Sequence, residues 1–148
     1  MNRPAAPSAF AISSNPSGPV SAFERYRPYV LSILRIVAGL LFFEHGMAKV
    51  FGFPPHGHIP VFHEIEWFAG RIELVGGGLF ALGFGTRAVA LVMSGEMAIG
   101  YFMDHAPHSF FPLLNGGDSP ILYCFLFLYF VFAGAGPLSL DALIWRKR

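Results

Sequence analysis

Thiol chemistry has almost nothing to work with here: the sequence holds a single cysteine, Cys124, set inside an apolar run. One thiol excludes an intrachain disulfide, a CxxC redox pair and a cysteine-based zinc knuckle, and leaves Cys124 as a small packing residue. Charge is scarce as well. Charged residues make up 13% of the chain and the net charge is +1, against about 25% charged in a soluble domain. No basic surface for nucleic acid follows from that balance. HExxH, GxGxxG and P-loop spacings are absent, as is any flavin, haem or iron–sulfur motif. What the chain has in quantity is apolar surface, 54% hydrophobic residues with 17 phenylalanines among its 148 residues and a mean hydropathy of +0.54. That is the composition of a membrane protein, with room for one domain of about four spans.

Residues 1–22 are rich in Pro, Ser and Ala without a hydrophobic period and are expected to form a disordered cytoplasmic tail; residues 23–148 are expected to form one membrane domain. A cleaved signal peptide does not fit, because the first apolar run starts near Tyr29 and is too long for an h-region. That run, Tyr29 to Phe53, is long enough to cross a bilayer and stops at Pro54-Pro55. A short interfacial helix is expected over Val61 to Phe68. Further spans are expected from Trp67 to Phe84, Ala88 to Met103 and Ile121 to Gly134, the last with Asp118 or Ser119 capping its start. Leu138 to Ile144 reads as a surface amphipathic helix. The fold class is therefore all-α, a four-helix transmembrane bundle with short interfacial helices. Arg3, Arg25, Arg27, Arg87 and Arg146-Lys147-Arg148 fall on one side of such a bundle. The positive-inside rule then puts both termini in the cytoplasm of a bacterial inner membrane.

Ionisable residues inside spans are costly and need partners. Counting ~1.5 Å per residue from each span end puts Arg35 and Glu96 at similar depth, so an Arg35–Glu96 structural ion pair is expected. By the same count Glu44, His45, Lys49, Arg71 and Glu73 share the outer half of the membrane and are expected to form one network. Three uses of that network are open: ion pairs that only hold helices together, a polar pocket for a small ligand such as a quinone headgroup, or a path for protons or solutes. His45, whose unperturbed pKa is near neutrality, is its candidate proton-exchanging member. Gly39, Gly46 and Gly76–Gly78 have the small-residue character that lets membrane helices approach closely. His56, His58 and His63 in one outer loop, with His105 and His108 in the other, invite a metal, but no helix carries a full ligand set and Pro107 interrupts the second pair, so no metal site is expected.

Several of these residues resemble the DoxX family of small four-helix membrane proteins. The likeness rests on Arg35…Gly39…His45-Gly46…Lys49, on Glu73-Leu-Val-Gly-Gly-Gly, on Gly83-Phe-Gly-Thr-Arg87, and on Gly134-Ala-Gly136-Pro137-Leu-Ser-Leu-Asp141. It spans about Arg27 to Asp141. Where the family often has Asn-Gly-Gly-Glu before the fourth helix, this chain has Asp118. The resemblance implies counterparts of the family's polar positions at Arg35, His45, Lys49, Glu73 and Arg87. It also implies kinship with the DoxD-like membrane subunit of a thiosulfate:quinone oxidoreductase. A role as membrane subunit or anchor of a quinone-linked redox system follows as the expectation, with lipid and a redox partner subunit as neighbours and the electron carrier supplied from outside the chain. A non-catalytic scaffold and a small-solute or proton transporter are the alternatives, and no catalytic residue is assigned. The aromatic fourth span suits a homodimer contact.

Overall fold

The computed structural model describes residues 19–55, 57, 59–62 and 64–145. Most of the expected tail, residues 1–18, lies outside the described residues, as do His56, His58, His63 and Arg146-Lys147-Arg148. The described chain is all-helical. Helix α1 runs Pro19–Phe51, α2 Ile65–Leu82, α3 Thr86–Gly100, α4 Pro112–Asn115, α5 Asp118–Ala133 and α6 Leu140–Trp145. A π-helical turn, Tyr101–His105, prolongs α3.

Helix α1 starts ten residues before its apolar run and inside the segment expected to be tail; Pro28 is tolerated within it. Its stretch Phe23–Phe51 is long and apolar enough to cross a membrane. The helix ends where Gly52 turns to φ 69°, two residues ahead of the expected proline stop. No separate interfacial helix forms over Val61 to Phe68. Val61 and Phe62 are non-helical, Glu64 accepts a hydrogen bond from the Val61 N–H at 3.0 Å, and α2 begins directly at Ile65. Nor does a side chain cap α5: Gly117 occupies that position, held by its N–H donating to Asn115 Oδ1 at 2.7 Å. Asn115 thus fixes the turn leading into α5, and Asp118 is the first residue of the helix rather than its cap.

Helix α1 packs along α2, α2 against α3, and α3 against α5. The first of these contacts is made backbone to backbone. A Cβ on Gly46 would collide with the Leu74 backbone, one on Gly77 would lie 2.5 Å from Phe43 N, and one on Gly39 2.6 Å from Ala81 N. Dispersion between main chains at that spacing replaces side-chain interdigitation. Phe42, Phe80, Phe127 and Phe130 meet edge to face where α1, α2 and α5 converge, with centroids 4.9–5.2 Å apart, and all are buried. Outside this aromatic centre the long helices expose apolar side chains. Val30, Ile33, Leu34, Val37 and Leu40 along α1 are 41–60% exposed, and Leu122, Phe125 and Phe132 on α5 more so.

Two ends of the molecule can be told apart. The turn end holds Gly83–Gly85 between α2 and α3, together with α6. The loop end holds Gly52, the start of α2 and the α3–α5 connection.

Candidate functional site

At the turn end, Arg35 is fully buried. Its Nη1 donates to Ala135 O at 2.5 Å, and its Nη2 to Leu138 O at 2.7 Å and Ala81 O at 3.2 Å. The guanidinium fork thus satisfies carbonyls at the end of α2 and in the α5–α6 link, which no helix ladder reaches. The expected Arg35–Glu96 pair is not formed. Counting depth from Tyr29 misplaced Arg35, because α1 begins earlier and Arg35 is level with Ala81, at the turn. Glu96 lies ten residues, ~15 Å, along α3 from Thr86.

Beside it, Asp141 of α6 accepts from the Gly85 N–H at 2.8 Å and the Thr86 N–H at 2.9 Å. It therefore caps α3 from a distant part of the chain, where Gly85 brings no side-chain cap of its own. Burial pushes the Asp141 carboxyl up, but these two N–H groups and the Arg35 charge outweigh it and hold the carboxyl below its ordinary 3.8.

At the loop end a cavity of about 960 Å³ opens among α1, α2, α3 and α5. Phe42, His45 and Lys49 of α1, Glu73 of α2, Glu96 of α3 and Tyr123 of α5 line it, and Glu66, Asp104 and His105 stand among its wall residues. Lys49 Nζ donates to Glu73 Oε1 at 2.6 Å; Glu73 is 2% exposed and Lys49 part-buried. Each carboxylate keeps one buried oxygen without a partner, Glu73 Oε2 and Glu96 Oε2. Such orphaned acceptors are rare in folded proteins. Both residues belong to the wall of this cavity, whose lining is mainly apolar, as a site for a polar headgroup on an apolar ligand would be.

Of the expected network, the structure joins Lys49 to Glu73 and puts His45 on the same cavity wall. His45 Nδ1 bonds Leu41 O at 2.8 Å; since a carbonyl only accepts, the ring donates from Nδ1. Glu44 and Arg71 are not on the cavity wall, although the Glu44 charge reaches Tyr123. Glu44 is exposed on the neighbouring face of α1. Arg71 donates to Trp67 O at 2.9 Å and lies 3.2 Å over the Trp67 ring, a cation–π contact on the outside of α2. Residues two apart on a helix do not face the same way, so Glu73 turning inward sends Arg71 outward.

Three participants were not assigned to the site by sequence reasoning. Glu96 was assigned to Arg35, although as the only carboxylate of α3, four residues before Gly100, it is better matched in level to Glu73. His105 is brought to the cavity by the π-helical turn, closed by the Ala106 N–H donating to Tyr101 O at 2.9 Å, which no sequence period announces. Its Nδ1 bonds Asn115 O at 2.8 Å, while His108 remains exposed. Tyr123 was read only as part of an aromatic run. Among the described residues no group of His, Cys, Asp and Glu side chains is arranged to hold a metal ion. Arg87 is exposed at the turn end, with its guanidinium beside Gly134.

A family model described as DoxX matches residues 30–106. Two relatives are uncharacterized proteins of Haemophilus influenzae (strain ATCC 51907 / DSM 11121 / KW20 / Rd). One is 45% identical over 130 residues, covering 84% of this chain and 97% of the relative. The other is 32% identical over 126 residues, covering 77% and 82%. No solved structure matches the chain.

Proposed function

The chain belongs to the DoxX family of membrane proteins, and from that premise we propose that it is a multi-pass inner-membrane protein whose loop-end cavity holds the headgroup of a quinone, serving as the membrane subunit or anchor of a redox system. The observation that carries this reading is the cavity itself: one ammonium and two partly unsatisfied carboxyl groups under a mainly apolar lining. A quinone headgroup is a flat apolar ring with carbonyl oxygens on opposite edges, and an apolar wall with few polar groups suits it. Lys49 uses one N–H on Glu73, so further N–H groups remain for a carbonyl oxygen. When bound, the quinone would supply the electron-accepting chemistry. The chain's own residues would hold the ring, orient its carbonyls and exclude water, and a partner protein would deliver electrons.

Apolar side chains exposed all along α1 and α5 support a bilayer around the long helices. The apolar lengths of α2, α3 and α5 fall short of a full hydrocarbon thickness of about 30 Å at 1.5 Å per residue. The π-helical turn lengthens α3, and α4 and α6 would lie at the interfaces.

Photo-crosslinking with an azidoquinone in nanodiscs tests the reading. Label is expected on the α2 and α3 peptides that line the cavity and should fall at least fivefold in Tyr123→Trp, which enlarges a wall residue outside the Lys49–Glu73 pair. Labelling indifferent to Tyr123→Trp and to Glu73→Gln removes the cavity from consideration.

A scaffold role is the second reading, favoured by the Lys49–Glu73 bond across α1 and α2. Replacing Lys49 strands the buried Glu73 carboxylate, at roughly 3–5 kcal/mol, whereas replacing both with apolar residues is often neutral. Recovery of stability in the double variant together with unaltered quinone labelling would favour the scaffold.

A further inference from the structure

The charges in the loop-end cavity do not balance. Lys49 brings one ammonium and Glu73 answers it at 2.6 Å; Glu96, from α3, lines the same cavity with Oε2 buried and unpartnered. Glu73, at 2% exposure, has a free oxygen of its own. Among the described residues no second permanent cation lines the cavity. Arg35 is committed to carbonyls at the turn end, and Arg71 is turned out onto Trp67. The remaining titratable groups of the lining are His45 on α1, Glu66 on α2, Asp104 and His105 after α3, and Tyr123 on α5. Both histidines already spend Nδ1–H on backbone carbonyls at 2.8 Å, which a neutral ring does equally well, and the other acids only add negative charge.

Two ionised carboxylates against one ammonium would leave a net negative charge in a poorly solvated space, a state that such sites avoid by taking up a proton. Glu73 already has the Lys49 ammonium bonded to it at 2.6 Å, so the proton belongs to the carboxyl that no cation bonds.

We propose that Glu96 is the cavity's proton-holding residue, presenting its O–H as the hydrogen bond that fixes one carbonyl oxygen of an oxidised quinone. This rests on the cavity being a quinone site. Lys49 is then the second donor, and Glu96 is what makes the site discriminate by protonation: ionised, it would set a carboxylate against the carbonyl oxygen and repel it.

The full chain in nanodiscs, titrated with a short-chain benzoquinone from mildly acidic to strongly alkaline pH, tests this. Wild-type affinity is expected to be flat at first and then to fall, by up to about tenfold per pH unit, once Glu96 ionises. Glu96→Gln keeps an N–H donor and cannot ionise. Its affinity at neutral pH should stay within roughly threefold of wild type, and its alkaline fall should vanish. Glu96→Leu, lacking the donor, should bind at least about fivefold more weakly at neutral pH. Independently of any ligand, infrared spectra should show a protonated-carboxyl C=O stretch at neutral pH that is absent in Glu96→Gln. Binding that does not vary with pH, an unchanged alkaline fall in Glu96→Gln, or no Glu96 carboxyl band overturns this inference and leaves the quinone reading standing. Absence of quinone binding at every pH, with the band present, overturns the quinone reading and keeps only the proton.

Discussion

A single buried guanidinium closes the turn end. Arg35 holds carbonyls of α2 and of the α5–α6 link together, and its removal would leave three acceptors without donors. Arg35→Leu is therefore expected to cost roughly 3 kcal/mol or more, and Arg35→Lys somewhat less, because an ammonium lacks the planar fork; thermal unfolding in detergent measures both. Asp141→Asn should remove a charge-assisted cap from α3 at about 1 kcal/mol. Its pH dependence has a definite sign. The folded carboxyl titrates below its ordinary 3.8, so its contribution is complete above that value and is lost as the pH falls through the folded one. The stability gap between wild type and Asp141→Asn should thus be full at neutral pH and shrink on acidification below about 4. A gap that widened on acidification would contradict the capping assignment.

The pairing of α1 with α2 depends on absent side chains. Gly46→Ala and Gly77→Ala must force the two backbones apart, since the atoms met by the new methyl group are main-chain atoms of the facing helix; about 1–3 kcal/mol is expected for each. Gly95, on α3, has nothing within 4 Å of where a Cβ would stand, so Gly95→Ala should be neutral or stabilise by up to about 1 kcal/mol through helix propensity. Equal losses at Gly46 and Gly95 in a detergent unfolding series would mean that backbone proximity is not what joins these helices. The glycines, their spacing and their role were readable in the sequence. The cap on α3 was not, because a residue fifty-five positions away supplies it.

On the scale of the molecule, the reading of four membrane crossings places the turn end in the cytoplasm and the loop end outside. Single cysteines introduced at Arg87 and at Phe110, in a Cys124→Ser background, should be labelled by a membrane-impermeant maleimide from opposite sides of the inner membrane: Phe110 in intact spheroplasts, Arg87 only after lysis. Labelling of both from one side would rule out the even-numbered topology. With four crossings, the cavity and its carboxyl groups would open toward the outer face, where the Glu66, Asp104 and His105 side chains stand at its wall.

Composition and hydrophobic runs were enough to read an all-helical membrane chain, the order of its helices, and Lys49, Glu73 and His45 as residues that belong together, because apolar length and the cost of buried charge act along the chain and need no partner to be known. Which charge meets which was decided only in three dimensions. Arg35 and Glu96 share a depth when counted in one dimension, yet rotation about each helix and the early start of α1 send the first to carbonyls at the turn and the second into the cavity. Arg71 and Glu73 separate for the same reason, as a helix turns about 100° with every residue and a count of depth carries no angle.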